Sequence, residues 1–185
     1  MKAVAIVPAA GAGRRLGGVC KALLRRPDGR TFLDAVVAGA REAGCAEVIV
    51  VVAEPFGRDV EAALPAGARA VWNPAPERGM ASSIACGLAA AGPAEAALLW
   101  PVDHPNARVA SARAVLAAAG PAGIAVPAFE GRGGHPAAFG RELWPELLVC
   151  ASARDVVRCD PARVRRVVVD DPGVVRDVDR PEDLG

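Results

Sequence analysis

Residues 3 to 21 read AVAIVPAAGAGRRLGGVCK, and the rest of the chain is organised around this stretch. Its first part, Ala3 to Val7, is apolar at every position, which is typical of a strand buried on both faces. Pro8 cannot donate a hydrogen bond to a neighbouring strand, so the strand should end there. The glycines that follow let backbone N–H groups approach an anion, while two arginines and Lys21 neutralise its charge. The stretch therefore predicts a polyphosphate-binding loop at the carboxyl end of a strand.

Two common phosphate-binding loops do not fit this stretch. A P-loop requires Gly, four residues and then Gly-Lys; Gly13 and Gly18 have this spacing, but Val19 stands at the lysine position. A dinucleotide-binding fingerprint requires a third small residue, where this chain has Leu16, and an acidic residue about 20 positions later. The candidate acid, Glu54, comes much too late. Another kind of phosphate-binding loop remains, with a solvated glycine-rich turn as the alternative.

Length and composition favour a single domain over residues 1–185. A chain of this length can bury a sizeable core. The hydrophobic content is 52%, dominated by Ala and Val, but aromatic residues make up only 4%, so few rings can stack on nucleic-acid bases. The formal net charge of +1 provides no broad positive field. We therefore expect neither a nucleic acid nor a membrane surface as a partner.

The cysteines and the N-terminus indicate a cytoplasmic protein. Five cysteines are scattered without a C-x-x-C pair or a Cys/His cluster, so neither a zinc site nor a disulfide framework is predicted. This pattern agrees with a reducing compartment. The N-terminal apolar run is too short for a signal peptide, and no stretch reaches the roughly 18 apolar residues that span a bilayer.

Beyond Lys21, apolar strands alternate with helices. The predicted strands are 48–53, 68–72, 96–102 and 123–127, and the predicted helices are 32–43, a short one ending at 64, 80–91 and 107–119. Such alternation is typical of a mostly parallel α/β sheet with helices on both faces, a Rossmann-like three-layer sandwich. Residues 130–139 interrupt the alternation and predict a glycine hairpin that feeds an antiparallel strand, with a helix from Arg141. Ligands of open parallel sheets bind at the carboxyl ends of the strands.

Asp103 follows the fourth predicted strand directly and is fixed by a proline turn. Its carboxylate is thus expected to point into the crevice at the edge of the sheet. Hard cations such as Mg²⁺ bind through one or two carboxylates together with substrate phosphates. We predict that Asp103 is a magnesium ligand; the alternative is an Asx turn that caps the next helix.

The segment after the third predicted strand leads into a helix. Ser82 and Ser83 lie near the helix start, where they can cap it, and the free N–H groups of a helix N-terminus favour an anion. Helix capping alone explains this segment as well as nucleotide binding does.

The opening stretch, Ala9-Ala-Gly-x-Gly-x-Arg-Leu-Gly-Gly-x-x-Lys21, resembles the signature of nucleotidyltransferases that move an NMP from an NTP onto a phosphate, in particular the MobA-like NTP transferases. Glu77-x-Gly-Met-x-x-Ser83 is similar to a second block of that family, which meets the nucleotide. The resemblance implies a nucleotide-diphospho-sugar transferase-like fold and catalytic roles for Lys21, Arg15 and Asp103. It also implies nucleotide contacts by Ala9, Ala10, Gly11, Gly13, Arg14, Lys21, Gly79, Met80 and Ser83.

The acceptor side resembles one branch of the family. Gly134-His135-Pro136 and a following apolar run are similar to the molybdenum cofactor cytidylyltransferases, and Ala9-Ala10 resembles the pyrimidine-using enzymes. This implies CTP, a molybdopterin acceptor and, as a further partner, a molybdoenzyme or its chaperone. His104, Arg132 and His135 are the predicted acceptor contacts, although a surface histidine at a hairpin tip explains His135 equally well. Gly-Gly-x-x-Lys21, in contrast, resembles the guanylyl branch.

The C-terminal part contains one further resemblance and one departure. Asp-Pro-Gly at 171–173 predicts a turn between two short strands, followed by a helix that Asp179 caps. Asp177 to Leu184 resembles the closing motif of the family, in which an acidic residue completes the metal site, so Asp177 and Asp179 are candidate second ligands. At 149–154 relatives tend to have Gly-Asp-x-Gly-Ala-Arg, whereas this chain has VCASAR.

The predicted reaction is an attack of an acceptor phosphate on the α-phosphorus of a triphosphate, with release of pyrophosphate. Positioning and charge neutralisation are sufficient for such a transfer. The alternatives are a GTP-dependent or sugar-phosphate nucleotidyltransferase, and a non-catalytic carrier of a nucleotide or cofactor.

Overall fold

The structure is a computed structural model that describes residues 2–11, 13 and 18–178. Its strands are β1 (Ala3–Pro8), β2 (Cys45–Val52), β3 (Ala68–Trp72), β4 (Ala96–Leu99), β5 (Ile124–Phe129), β6 (Arg132–Gly133), β7 (Ala137–Gly140) and β8 (Val164–Val168). Its α-helices are α1 (Phe32–Glu42), α2 (Gly57–Ala62), α3 (Met80–Ala90), α4 (Val109–Ala118), α5 (Trp144–Val149) and α6 (Ala153–Cys159). The alternation predicted from the sequence is therefore present.

The strands form one mixed sheet in the order β3-β2-β1-β4-β7-β5-β6, with β8 also paired to β5. The pairs β1–β2, β1–β4, β2–β3 and β5–β8 are parallel. β7 runs antiparallel to both β4 and β5, and the hairpin strand β6 runs antiparallel to β5. The expected α/β fold with an antiparallel strand after the glycine hairpin is thus confirmed.

β1 lies between two hydrophobic cores, one on each face of the sheet. Ala3, Ala5 and Val7 belong to the core that contains α1 and α4. Val4 and Ile6 belong to the opposite core, with residues of α3 and α5. Because successive side chains of a strand point to opposite faces, a continuous apolar run is what a strand needs when both faces are covered.

Two local expectations are confirmed and two are corrected. Thr31 caps α1 in a capping box with Asp34. The chain turns into the antiparallel β7 after the hairpin, as expected. β4 ends at Leu99, before Pro101, instead of reaching 102. The second short strand after Asp171 is absent from the described residues, because that carboxylate accepts a hydrogen bond from Gly173 N and turns Pro172–Val175 into a 3-10 helix.

The described helices are short, and α1 and α3 have 11 residues each. Within residues 2–11, 13 and 18–178, no helix is both long and apolar enough to cross a membrane.

Candidate nucleotide and metal site

A cavity of about 240 Å³ opens at the carboxyl ends of β1 and β4, beside the start of α3. It is lined by every described residue that the sequence predicts to contact the nucleotide, namely Ala9, Ala10, Gly11, Gly13, Lys21, Gly79, Met80 and Ser83. Arg14 and Arg15, the remaining predicted phosphate contacts, lie outside the described residues. The arrangement follows from the parallel sheet, since the carboxyl ends of β1 and β4 meet at one edge.

Glycine is required at one turn of the loop that follows β1. Gly13 has a φ of +60°, and a Cβ atom there would overlap the backbone carbonyl of Val19. Gly18 N donates a hydrogen bond to Gly13 O at 3.0 Å, so the loop closes back on itself. Only a residue without a side chain fits this close approach of two backbone segments. Among the described residues of this loop, Gly13 therefore has to be a glycine.

Lys21 and Asp103 meet at the edge of this cavity. Lys21 begins a short 3-10 turn after the glycine loop, and Asp103 follows β4. Lys21 Nζ lies 3.6 Å from Asp103 Oδ2, and the two side chains are 17% and 22% exposed. At 3.6 Å the contact is an ion pair without a hydrogen bond. A substrate phosphate and a cation can therefore replace this contact at small cost, with both groups already in place.

Asp177 approaches Asp103 through the backbone. Val178 N donates to Asp103 O at 2.8 Å, which brings the segment that carries Asp177 against the end of β4. Asp177 is exposed, and both carboxylates lie close enough to His104 to influence its pKa. Such a pair of carboxylate oxygens is a donor set that fits a hard divalent cation. Asp179 lies outside the described residues.

Within the described part of the chain, no group of three or more His, Cys, Asp or Glu residues could hold a metal ion by itself. Mg²⁺ sites commonly use only one or two carboxylates together with substrate phosphates.

His104 and His135 pack against each other beside Asp103. Their ring centroids are 5.0 Å apart, and the Nδ1 atoms of both rings are buried without a hydrogen-bond partner. Burial lowers the pKa of His104, against the opposing effect of the Asp103 and Asp177 carboxylates. Burial, with a smaller contribution from His104, lowers the pKa of His135 to about 4. Both rings are therefore neutral at pH 7, and they offer hydrogen bonds instead of positive charge.

The structure separates the predicted acceptor contacts into two places. His135 follows the hairpin strand β6 and is half-buried, with its Nδ1 atom fully buried, so it is not a surface histidine at the hairpin tip. Arg132, in contrast, lies on the exposed strand β6, where it pairs with Phe129 of β5. His104 and His135 thus adjoin Asp103, whereas Arg132 is on the outside of the hairpin.

Ser82 and Ser83 do not cap α3, which corrects the capping expectation. The N-cap residue is Gly79, and no side chain caps this helix. The two serine hydroxyls instead accept hydrogen bonds from Asn73 Nδ2 at 2.8 and 3.0 Å. Ser82 Oγ also donates to Gly79 O at 2.7 Å. The N-terminus of α3, which lines the cavity, therefore keeps backbone N–H groups that a ligand can use.

Asn73 is a structural residue that the sequence analysis missed. It is 3% exposed and comes directly after β3. Besides the two serines, its side chain binds Ala75 N at 2.9 Å. Asn73 thus fastens the loop between β3 and α3 to the helix, and its position before a proline at the end of a strand was the available signal.

The departure at 149–154 lies away from the nucleotide cavity. Leu148 to Ala151 line a second cavity of about 350 Å³, and the loop from Asn73 to Arg78 forms another part of its wall. The unusual segment therefore faces the outer side of the loop whose next residues, Gly79 and Met80, line the nucleotide cavity.

The sequence model of the MobA-like NTP transferase domain matches residues 5–168. The chain belongs to this family. It is therefore an NTP-dependent nucleotidyltransferase, as the glycine loop and Asp103 had indicated. No curated protein matches the sequence significantly.

Solved structures of nucleotidyltransferases have the same fold. Rv0371c from Mycobacterium tuberculosis H37Rv superposes with a TM-score of 0.85 at 28% identity, covering 99% of this chain and 95% of that one. A nucleotidyl transferase from Methanothermobacter, Mth528, gives 0.86 at 25% identity over 98% and 94%. The 2-C-methyl-D-erythritol 4-phosphate cytidylyltransferase of Thermus thermophilus gives 0.68 at 24% identity over 100% and 96%. A further structure of Rv0371c is described as a complex with manganese.

Proposed function

We propose that residues 1–185 act as one Mg²⁺-dependent domain that transfers CMP from CTP to a phosphate of molybdopterin and releases pyrophosphate. The observation that carries the proposal is the 3.6 Å contact between Lys21 and Asp103 at the edge of the cavity. The contact supports the proposal because an ammonium group and a carboxylate this close together could both be reached by one triphosphate.

In the proposed reaction, an oxygen of the acceptor phosphate attacks the α-phosphorus of CTP in line. The bond between the α-phosphorus and the bridging oxygen breaks, and pyrophosphate leaves. The loop backbone from Ala9 to Gly13 and the N-terminus of α3 orient the nucleotide. Lys21 neutralises charge on the α-phosphate as the new bond forms, and Arg15 binds the β- and γ-phosphates. This division of work suits a transfer in which positioning and electrostatics supply most of the catalysis.

A divalent cation completes the proposed site. Asp103, with Asp177 or Asp179 as a second ligand, would hold Mg²⁺ through carboxylate oxygens. When bound, the ion neutralises phosphate oxygens and helps to align the two reactants. The manganese complex of the related Rv0371c supports a hard divalent cation in this chain as well.

Two features support CTP and molybdopterin over other substrates. Ala9 and Ala10 line the cavity. The Ala-Ala sequence at these positions is similar to that of the pyrimidine-using branch of the family. The Gly134-His135-Pro136 segment, which resembles the molybdenum cofactor branch, packs through His135 against the residue that follows Asp103. An acceptor that reaches His104 and His135 would meet two neutral imidazoles, which can supply hydrogen bonds but no charge. In the cytoplasm, the product would pass to a molybdoenzyme or its chaperone.

The proposal is tested by pyrophosphate release with ATP, GTP, CTP and UTP, each combined with molybdopterin or with a panel of sugar phosphates. We expect release with CTP and molybdopterin when Mg²⁺ is present, and release that is slower by a factor of about 10² to 10³ with the Asp103→Ala variant. Release with GTP would move the chain to the guanylyl branch, and release with a sugar phosphate would replace the acceptor. Tight nucleotide binding without release in any combination would identify a carrier.

A further inference from the structure

Asp171 is a buried carboxylate outside the cavity lining that the proposed mechanism does not use. It is 2% exposed and lies after β8, where the chain leaves the sheet. A carboxylate that is buried so completely requires several hydrogen bonds, because its desolvation is costly. Its contacts therefore show which parts of the fold it holds together.

Both oxygens of Asp171 are used. Oδ2 accepts hydrogen bonds from Arg108 N and from Ser111 Oγ, each at 2.7 Å. Oδ1 accepts from Gly173 N at 3.0 Å. The first two donors belong to the N-terminal end of α4, and the third belongs to the 3-10 turn Pro172–Val175. Asp171 thus joins the turn to the helix that follows the Asp103 loop.

The turn fits its surroundings closely. A Cβ atom on Gly173 would overlap the carbonyl of Asn106, and one on Gly134 would overlap the carbonyl of Val174. His135 N donates to Val174 O at 2.7 Å. Backbone therefore contacts backbone on two sides of the turn. This leaves the turn little freedom to shift while Asp171 holds Gly173 N.

The same turn precedes Asp177, a candidate ligand of the proposed metal site. After Val175 the chain continues to Val178, whose N–H donates to Asp103 O at 2.8 Å. The segment that carries Asp177 is thus fixed at two points, at the turn and at the backbone of Asp103. Asp177 itself is exposed, so its position depends on these backbone anchors.

We propose that Asp171 is a positioning residue for the metal site, because it anchors the turn that places Asp177 beside Asp103. This inference rests on the proposed function, in which Asp103 and Asp177 hold a divalent cation. Residues that orient metal ligands typically change metal affinity or activity by about 10- to 100-fold when they are replaced. Replacement of Asp171 should weaken metal binding while leaving metal-free nucleotide binding unchanged.

The test measures Mn²⁺ binding by electron paramagnetic resonance, with the protein saturated in turn by the α,β-methylene analogues of CTP and GTP. We expect Asp171→Asn to raise the Kd for Mn²⁺ about tenfold, because the amide cannot accept all three hydrogen bonds. The Kd for the analogue in EDTA should stay within about twofold of wild type. Ser111→Ala, which removes one of the three bonds, should shift the Mn²⁺ Kd in the same direction by less, and it covers the case in which Asp171→Asn does not fold.

Asp160→Asn is the matched control. Asp160 also precedes a proline and accepts a hydrogen bond from the N–H two residues later, at 3.0 Å, but it caps the turn Pro161–Arg163 before β8. We expect it to leave the Mn²⁺ Kd unchanged. A shift as large as that of Asp171→Asn would overturn the inference, because general loosening of the fold would then explain both.

The inference and the proposed function can fail separately. If Asp177→Ala weakens Mn²⁺ binding but Asp171→Asn and Ser111→Ala do not, Asp171 has no positioning role. Loss of analogue binding in EDTA by Asp171→Asn would also overturn the inference. If the wild-type complex binds no Mn²⁺, or if Asp177→Ala has no effect on it, the metal site of the proposed function is wrong.

Discussion

Lys21 Nζ lies 3.6 Å from Asp103 Oδ2, although the two residues follow different strands. The contact exists because β1 and β4 are parallel neighbours, so that their carboxyl ends open into the same cavity. In this contact, each charge is balanced in part by the other. A bound triphosphate would offer Lys21 a phosphate and Asp103 a cation, which replaces one weak ion pair by two charged contacts.

Removal of either member of this pair should slow catalysis. Lys21→Ala and Asp103→Ala are each expected to lower kcat by a factor of about 10² to 10³, because each removes a group that stabilises charge in the transition state. The measurement is pyrophosphate release from CTP and molybdopterin at saturating concentrations. Lys2→Ala is the control, since Lys2 is the only other lysine and is exposed. Near-normal turnover of either variant would remove that residue from the mechanism.

Two glycines of the nucleotide loop provide a matched pair of variants. Gly13 and Gly18 both have positive φ, +60° and +82°, but only at Gly13 would a Cβ meet backbone. We expect Gly13→Ala to weaken CTP binding more than tenfold, because the overlap with Val19 O forces the loop open. Gly18→Ala should weaken CTP binding only by the free-energy cost of an alanine in the left-handed region, about 1 kcal/mol. The Kd values come from isothermal titration calorimetry. Equal losses in the two variants would mean that the close approach is unimportant.

The sequence was sufficient for most of the fold. The apolar run of β1 predicted a strand covered on both faces, and the glycine hairpin predicted the antiparallel strand β7. The secondary-structure prediction was wrong where a hydrogen bond to one side chain, and not the apolar periodicity, sets the backbone conformation. Val174 and Val175 resemble a strand, but Asp171 binds the N–H of Gly173 and winds them into a 3-10 turn.

The contact between Lys21 and Asp103 could be predicted from the order of the strands. Lys21 and Asp103 could be placed together because strand ends of a parallel sheet share one edge. The burial of His135 against His104 was beyond the sequence, since it depends on how the hairpin packs on the end of β4. Asn73 was missed because its two serine partners looked like ordinary helix caps. Contacts between segments distant in the chain are not encoded in local periodicity.

Close packing of α3 on the sheet should be sensitive to one methyl group. A Cβ atom on Gly87 would lie 2.6 Å from Ile6 Cγ2 and 3.1 Å from Val51 Cγ2. Gly87→Ala is therefore expected to destabilise the protein by about 1 to 3 kcal/mol, measured by urea denaturation. Gly120→Ala is the control, because a Cβ atom there has no neighbour within 4 Å. The prediction fails if the two variants are equally stable.

Burial of His135 makes stability depend on pH in a defined direction. In the unfolded chain its pKa is close to 6.5, whereas in the fold burial and the nearby His104 hold the pKa at about 4. Between these values the unfolded state binds more protons than the folded state does. The contribution of neutral His135 to the free energy of unfolding is therefore complete above pH 6.5. The free energy of unfolding should fall as the pH is lowered from 6.5 towards 4.

A His135→Asn variant should lose part of this pH dependence. The wild-type free energy of unfolding is expected to fall between pH 7 and pH 5, with about 1 to 2 kcal/mol of the decrease due to His135. The variant should be less stable at pH 7, because it loses the packing against His104, but its stability should decrease less towards pH 5. His104, whose pKa is also lowered by burial, remains in the variant and keeps a residual slope. Urea denaturation at several pH values measures both slopes, and equal slopes would show that His135 is protonated as readily in the fold as in the unfolded chain.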